Sequence, residues 1–227
     1  KGTYDRFARC THGALIRNDF EWMEYWRWEN EEERTAAVYY DAKDIPQGFL
    51  LYWVEEDVFH IREMVYLTQE ARKGLWNFIR AHYSMIDAVK GHIYTGEPLA
   101  FLLDESQIQE TIEPYFMARI VDVAQFLRLY PFEGSIRPFH FVVTDPMAEW
   151  NNGIFSVATD REGTVSVTDE PAGKAVELDI QTLSAMLMGY KRPSYLARIE
   201  RLHTDNRTLR LLEEIIPDGQ PYFSDYF

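Results

Sequence analysis

Cysteine is nearly missing from these 227 residues: Cys10 stands alone. One thiol closes no intrachain bridge, so a disulfide framework is excluded and a reducing compartment is the expected setting. Long apolar runs are missing too. The longest, Gly48 to Val54, falls far short of the roughly 18 residues a membrane-spanning helix needs, so no membrane partner is expected. Glycine and proline number only 12 and 10, which excludes a low-complexity or collagen-like chain. Positive charge is the remaining shortage. Lys and Arg total 23 against 37 Asp and Glu, a net charge of −14. Such a surface repels phosphate backbones, so no nucleic-acid partner is expected, whereas cationic small molecules are attracted. The chain opens on Lys1 rather than Met, without a charged-then-apolar leader. No signal peptide is therefore expected at this end, earlier residues are expected to be missing, and the expected location is cytoplasmic.

What is present is ordinary globular composition, 46% hydrophobic and 26% charged. Residues 3–12 and 18–28 have the spacing of short helices, the second capped by Asn18 or Asp19. Trp22 and Trp26, four apart, are expected to form one core stripe. Thr35 to Tyr40, Gly48 to Glu55 and Val58 to Leu67 alternate like strands and are separated by acidic turns, the pattern of an antiparallel meander. From Thr68 to Tyr83 the period becomes helical, with Thr68 as N-cap. Ala88 to Tyr94 returns to strand, in a position to run parallel to the third, and Pro98 to Leu103 fits a short helix. Beyond Pro114 the pattern predicts a strand at Tyr115 to Val121 and a helix at Val123 to Tyr130. Three strands come next, at Phe139 to Thr144, Asn152 to Thr159 and Thr164 to Val167. Helices are expected at Asp179 to Gly189, Pro193 to Leu202 and Asp205 to Ile216, then an irregular aromatic tail. The fold class is α+β, in two domains, 1–112 and 113–227.

Catalytic signatures are sparse. The six histidines are scattered without metal-ligand spacing, and nucleophile-elbow and phosphate-loop patterns are missing, so no metal site is expected. A meander running into a helix is nevertheless where acetyltransferases of the GNAT type cradle pyrophosphate, at the spacing [QR]-x-x-G-x-[GA]. Here the stretch is Ala71-Arg72-Lys73-Gly74-Leu75-Trp76. Gly74 is in place, but Ala71 replaces the polar residue and the Trp76 indole takes the small position. On the hexapeptide alone, a plain amphipathic helix is the better explanation.

Longer segments carry a family resemblance. YDRFARCTHGALIRNDFEWMEYWRW, FHIREMVYLTQEARKGLWNFIRAHYS, YFMARIVDVAQFL with FHFVVTDPMAEWNNGIFSV, and LDIQTLSAMLMGYKRPSYLARIERL resemble the later two-thirds of the Eis-like acetyltransferases, over essentially the whole chain. The resemblance implies a degenerate GNAT-like domain at 1–112, without a competent acetyl-CoA loop, and a sterol-carrier-like α/β domain at 113–227. Acetyl-CoA would then be held by a missing N-terminal GNAT domain, with none bound by this chain. The implied activity is N-acetylation of amines of the aminoglycoside or lysine type, and the implied partners are that N-terminal domain, the amine, and further copies in a homo-oligomer, a hexamer by resemblance. It also makes the terminal carboxylate of Phe227 the general base. Beside it, Asp225 and the aromatics Tyr222, Phe223 and Tyr226 are candidates for holding a cationic amine. On this basis the chain alone is expected to be inactive. The alternatives are a lipid- or sterol-carrier-like binding module and a non-catalytic scaffold, because fold alone does not carry function.

Overall fold

The computed structural model describes residues 1–27, 35–93, 99–103, 107–113, 115–134, 136–159 and 164–225. The chain divides into two compact units, one of residues 1–109 with 221–227, the other of residues 110–220. The boundary thus falls at 109/110, and the residues from Pro221 onward, counted above with the second domain, belong with the first. No described helix is long and apolar enough to cross a membrane.

In the first unit, α1 (Gly2–Arg9) and α2 (Asp19–Arg27) precede β1 (Thr35–Tyr40), β2 (Pro46–Glu55) and β3 (Val58–Tyr66); α3 (Gln69–Arg80), β4 (Ala88–Gly91) and α4 (Leu99–Leu102) complete it. The sheet runs β1-β2-β3-β4, the first three antiparallel and β4 parallel to β3, as the sequence pattern predicts. Each junction has a local chemical cause. Asp41 shapes the β1–β2 turn by accepting the amides of Lys43 and Ile45. Asn18 Oδ1 accepts the Phe20 and Glu21 amides at the start of α2. Thr68 Oγ1 accepts the Ala71 amide at 3.1 Å and starts α3. Leu75 and Ile79 of α3 pack on Leu50, Phe59 and Ile61. Tyr4, Ala8, Trp22 and Val65, with Phe49 against them, form a separate cluster. Phe49 and Leu50 are successive residues of β2, so the two clusters lie on opposite faces of the sheet.

A bulge decides which side chains of β3 reach which face. Leu51 pairs with Glu63 and Tyr52 with Ile61, so the register steps over Arg62. An extra residue of this kind inverts the facing of the residues beyond it. Phe59 and Ile61 lie with α3, while Glu63 and Val65 turn to the side of α1 and α2. The expected tryptophan stripe needs correction: Trp22 is 4% exposed and in the core, but Trp26 is 44% exposed.

The second unit contains α5 (Val123–Leu129), β5 (Phe139–Thr144), β6 (Gly153–Thr159), β7 (Val165–Thr168), β8 (Lys174–Asp179), α6 (Ile180–Leu187), α7 (Pro193–Arg198), β9 (Leu202–His203) and α8 (Asn206–Ile215). Its sheet runs β7-β6-β5-β8-β9, with β5 and β8 parallel and the other pairs antiparallel. Asp122, Asp179 and Asp205 cap α5, α6 and α8 through their carboxylates. Phe139, Phe141 and Val143 of the central strand join Val176, Ile180, Leu183, Met186 and Leu212 in one buried cluster.

Three expectations for this unit need correction. The helix expected from Pro193 to Leu202 ends at Arg198, and Leu202 belongs to β9. Tyr115 to Val121 is not a strand: it pairs with no strand among the described residues, and Tyr115, Phe116, Met117 and Val121 are exposed. Ile120 alone is buried, its amide donated to Ser184 Oγ at 3.1 Å. Conversely, β8 adds a strand that the sequence pattern did not predict, with Val176 and Leu178 facing the core. The loop after β5 is knotted by Asp145, whose carboxylate accepts from Arg119, Asn151 and the Met147 and Ala148 amides. Burial opposes its charge, but these bonds outweigh that and hold its pKa down at about 2.

Candidate functional site

The tail reaches its place in the first unit through backbone and ring contacts. The Tyr222 amide donates to the His12 carbonyl at 2.9 Å, and the Tyr222 ring meets Phe7 edge-on at 4.9 Å. Close approach depends on Gly13. Its φ is +78°, and a Cβ there would lie 3.3 Å from the Tyr222 carbonyl oxygen. Tyr222 is buried, with its ring against Phe7, and Phe223 is half-buried. Tyr226 and Phe227 lie outside the described residues.

Past Phe223 the tail meets an arginine that the sequence pattern did not single out. The Arg17 side chain is wholly buried. Its guanidinium faces the rings of Tyr4, Tyr25 and Trp22, at 3.9, 4.2 and 4.7 Å from their centroids. Nη2 and Nη1 donate to the two Glu63 oxygens at 2.9 and 3.3 Å. Nε donates to Asp225 Oδ1 at 2.6 Å, and Nη2 also meets Ser224 Oγ at 3.2 Å. Ser224 donates its own proton to Glu63 Oε1 at 2.8 Å, and Tyr25 donates to Glu63 Oε2 at 3.0 Å. Burial opposes the charge of Arg17, but Glu63 and Asp225 outweigh it and hold its pKa above the ordinary arginine value. Burial pushes the Tyr4 and Tyr25 phenols up, so both remain neutral donors.

This arrangement changes what Asp225 can do. The sequence pattern offers its carboxylate to a cationic amine. The structure leaves it 8% exposed and bound to Arg17, whose charge it shares with Glu63. A buried, doubly paired guanidinium exchanges no proton on a catalytic time scale; what it does is orient its carboxylate partners. Glu63 carries the signal that sequence reasoning missed, a charge at the inward-facing place in the alternation Phe59, Ile61, Glu63, Val65.

The stretch from Ala71 to Trp76 lies inside α3, and its residues do not fit acetyl-CoA. The Ala71 amide is taken by Thr68. Glu70, in the first turn, accepts from the Tyr39 hydroxyl at 2.9 Å and sets negative charge where a phosphate would approach. A Cβ on Gly74 would lie 2.3 Å from the Tyr39 ring, so the glycine makes room for tyrosine. Trp76 packs against the core of the unit.

An apolar groove of about 520 Å³ opens on the same unit, lined by Trp22, Trp26, Val38, Tyr40, Phe49 and Leu51 among others. In the second unit a shallow polar recess of about 390 Å³ is bordered by Glu177, Asp179, Arg201 and His203, with Arg201 already paired to Asp179 at 2.8 Å. Among the described residues, no group of three or more His, Cys, Asp or Glu side chains is placed to hold a metal ion.

Comparison with known proteins agrees with this two-part fold. Residues 13–120 match the acetyltransferase (GNAT) domain, and residues 123–224 the sterol carrier protein domain. N-acetyltransferase Eis of Mycobacterium tuberculosis is 24% identical over 228 residues, covering 96% of this chain and 54% of that protein. A probable N-acyltransferase of unknown function from Enterococcus faecalis superposes with a TM-score of 0.90 at 30% identity, over 100% of this chain and 58% of the other. A GCN5-related N-acetyltransferase from Anabaena variabilis gives 0.85 at 28% identity, covering 100% and 59%. The chain spans little more than half the length of these relatives. Two domain types in this order, matched over 96% of the chain by an Eis protein, make the chain Eis-like: a GNAT acetyltransferase domain followed by a sterol carrier protein domain.

Proposed function

We propose that the chain is the later part of an N-acetyltransferase that acetylates amines with acetyl-CoA, and that a preceding GNAT domain of the same polypeptide binds the acetyl-CoA. The observation that carries the proposal is the seating of the tail: its last described residues are fixed inside the GNAT-family unit by the buried ion pair of Asp225 with Arg17. In this proposal the terminal carboxylate of Phe227 is the general base. An amine protonated at neutral pH has no lone pair for attack, and a carboxylate brought to it takes the proton. A free α-carboxyl, with a pKa of about 3.3–3.7, is ionised at pH 7, and partial desolvation by neighbouring rings raises its basicity. The net charge of −14 favours a cationic amine of the aminoglycoside or lysine type. The proposed partners are the preceding GNAT domain, the amine, and further copies of the chain in a homo-oligomer.

Calorimetry on the 227-residue chain tests the division of labour. No micromolar acetyl-CoA binding and no acetyl transfer are expected from it, and Trp76→Gly restores neither, because the Ala71 amide and Glu70 remain as they are. Micromolar binding by the chain would overturn the assignment of the cofactor to a preceding domain. The lipid-carrier alternative draws no support from the second unit, where Phe141, Val176, Leu183, Met186 and Leu212 pack against one another in the described core.

A further inference from the structure

Arg17 holds more than a stability device needs. Buried arginines are uncommon and persist only when fully paired. Glu63 alone would provide that pairing, since it takes both terminal nitrogens in a fork. Yet Nε is reserved for Asp225, 208 positions away, and Nη2 is shared with Ser224. The three aromatic rings fix the plane of the guanidinium and thereby the direction in which Nε points. The bulge at Arg62 supplies the matching carboxylate from β3. Ser224 closes the circuit by bonding both Arg17 and Glu63.

We infer that Arg17 is a positioning residue, a latch that fixes Ser224 and Asp225 and thereby sets where the end of the chain lies. Phe227 is two positions beyond Asp225, and two residues of extended chain span at most about 7 Å. Holding Asp225 therefore limits how far from it the proposed terminal carboxylate can lie. The role of the latch in catalysis rests on the proposed function of that carboxylate; the latch itself does not.

The test uses the full-length protein and two variants. Arg17→Lys keeps the charge but loses the fork. Asp225→Asn removes only the tail's charge and leaves the Arg17–Glu63 pair in place, so it serves where the first variant fails to fold. Two quantities are read: the rate at which a carboxypeptidase trims the C-terminus, and kcat for acetylation of an amine with KM for acetyl-CoA at saturating amine. The latch predicts trimming at least about tenfold faster, and a kcat lowered by about 10², the scale of a misplaced reacting group, with KM for acetyl-CoA unchanged. Faster trimming with an unchanged kcat upholds the latch and refutes the terminal carboxylate as base. An unchanged trimming rate in a folded Asp225→Asn variant overturns the latch.

Discussion

Glu63→Gln is the sharpest probe of the first unit's energetics. Glu63 and Arg17 pair with side chains 2% and 0% exposed, so neither charge has water to fall back on. The substitution leaves Arg17 with Asp225 as its remaining carboxylate and removes the charged acceptor of Tyr25 and Ser224. Asp225 still balances the Arg17 charge, so what is lost is charge-assisted hydrogen bonding to Glu63, worth about 1.5–3 kcal/mol. With a urea m-value of about 2 kcal/mol/M, the unfolding midpoint of the first unit should fall by about 0.8–1.5 M. Lys1→Ala is the control. Lys1 pairs with Asp19 at 3.1 Å, but the side chains are 55% and 99% exposed, and such a pair contributes at most about 1 kcal/mol. Equal, small shifts for the two variants, under about 0.5 M, would refute the claim that burial of the Arg17 cluster governs its strength.

Two more expectations concern single residues. Asp145 has a depressed pKa, so its contribution is present above its unfolded value of about 3.9 and lost as pH falls through about 2. Urea midpoints of the second unit should decline between about pH 4 and pH 2, and Asp145→Asn should flatten that decline; an identical slope in the variant would contradict this. Gly13→Ala places a side chain at φ +78° against Tyr222 and should destabilise the first unit by about 1–2 kcal/mol, the usual penalty of a left-handed alanine, measured by the same denaturation. An unaffected midpoint would show that the turn relaxes freely.

Much of the architecture was legible because its signals are local. Thr68, Asp179 and Asp205 sit at the helix starts that their types predict. The meander was readable from alternation and acidic turns. Non-local causes were not readable. Tyr115 to Val121 has strand-like residues, but a strand exists only where another can pair with it. The bulge at Arg62 leaves the burial alternation of β3 unbroken while moving Glu63 to the other face, so periodicity does not reveal it. Arg17 finds its partners 46 and 208 positions away, beyond any spacing rule. Through Asp225 the tail is irregular, as its pattern predicts, yet its home in the first unit depends on those same distant partners.

The most direct test of the whole account is acetyl transfer by the full-length protein with its C-terminus altered. Removing Phe227, or extending the chain past it by a few residues, should lower kcat by roughly 10²–10⁴, the usual worth of a positioned base, with acetyl-CoA binding and the unfolding midpoints unchanged. Unaltered turnover in a folded, C-terminally extended enzyme would contradict the account.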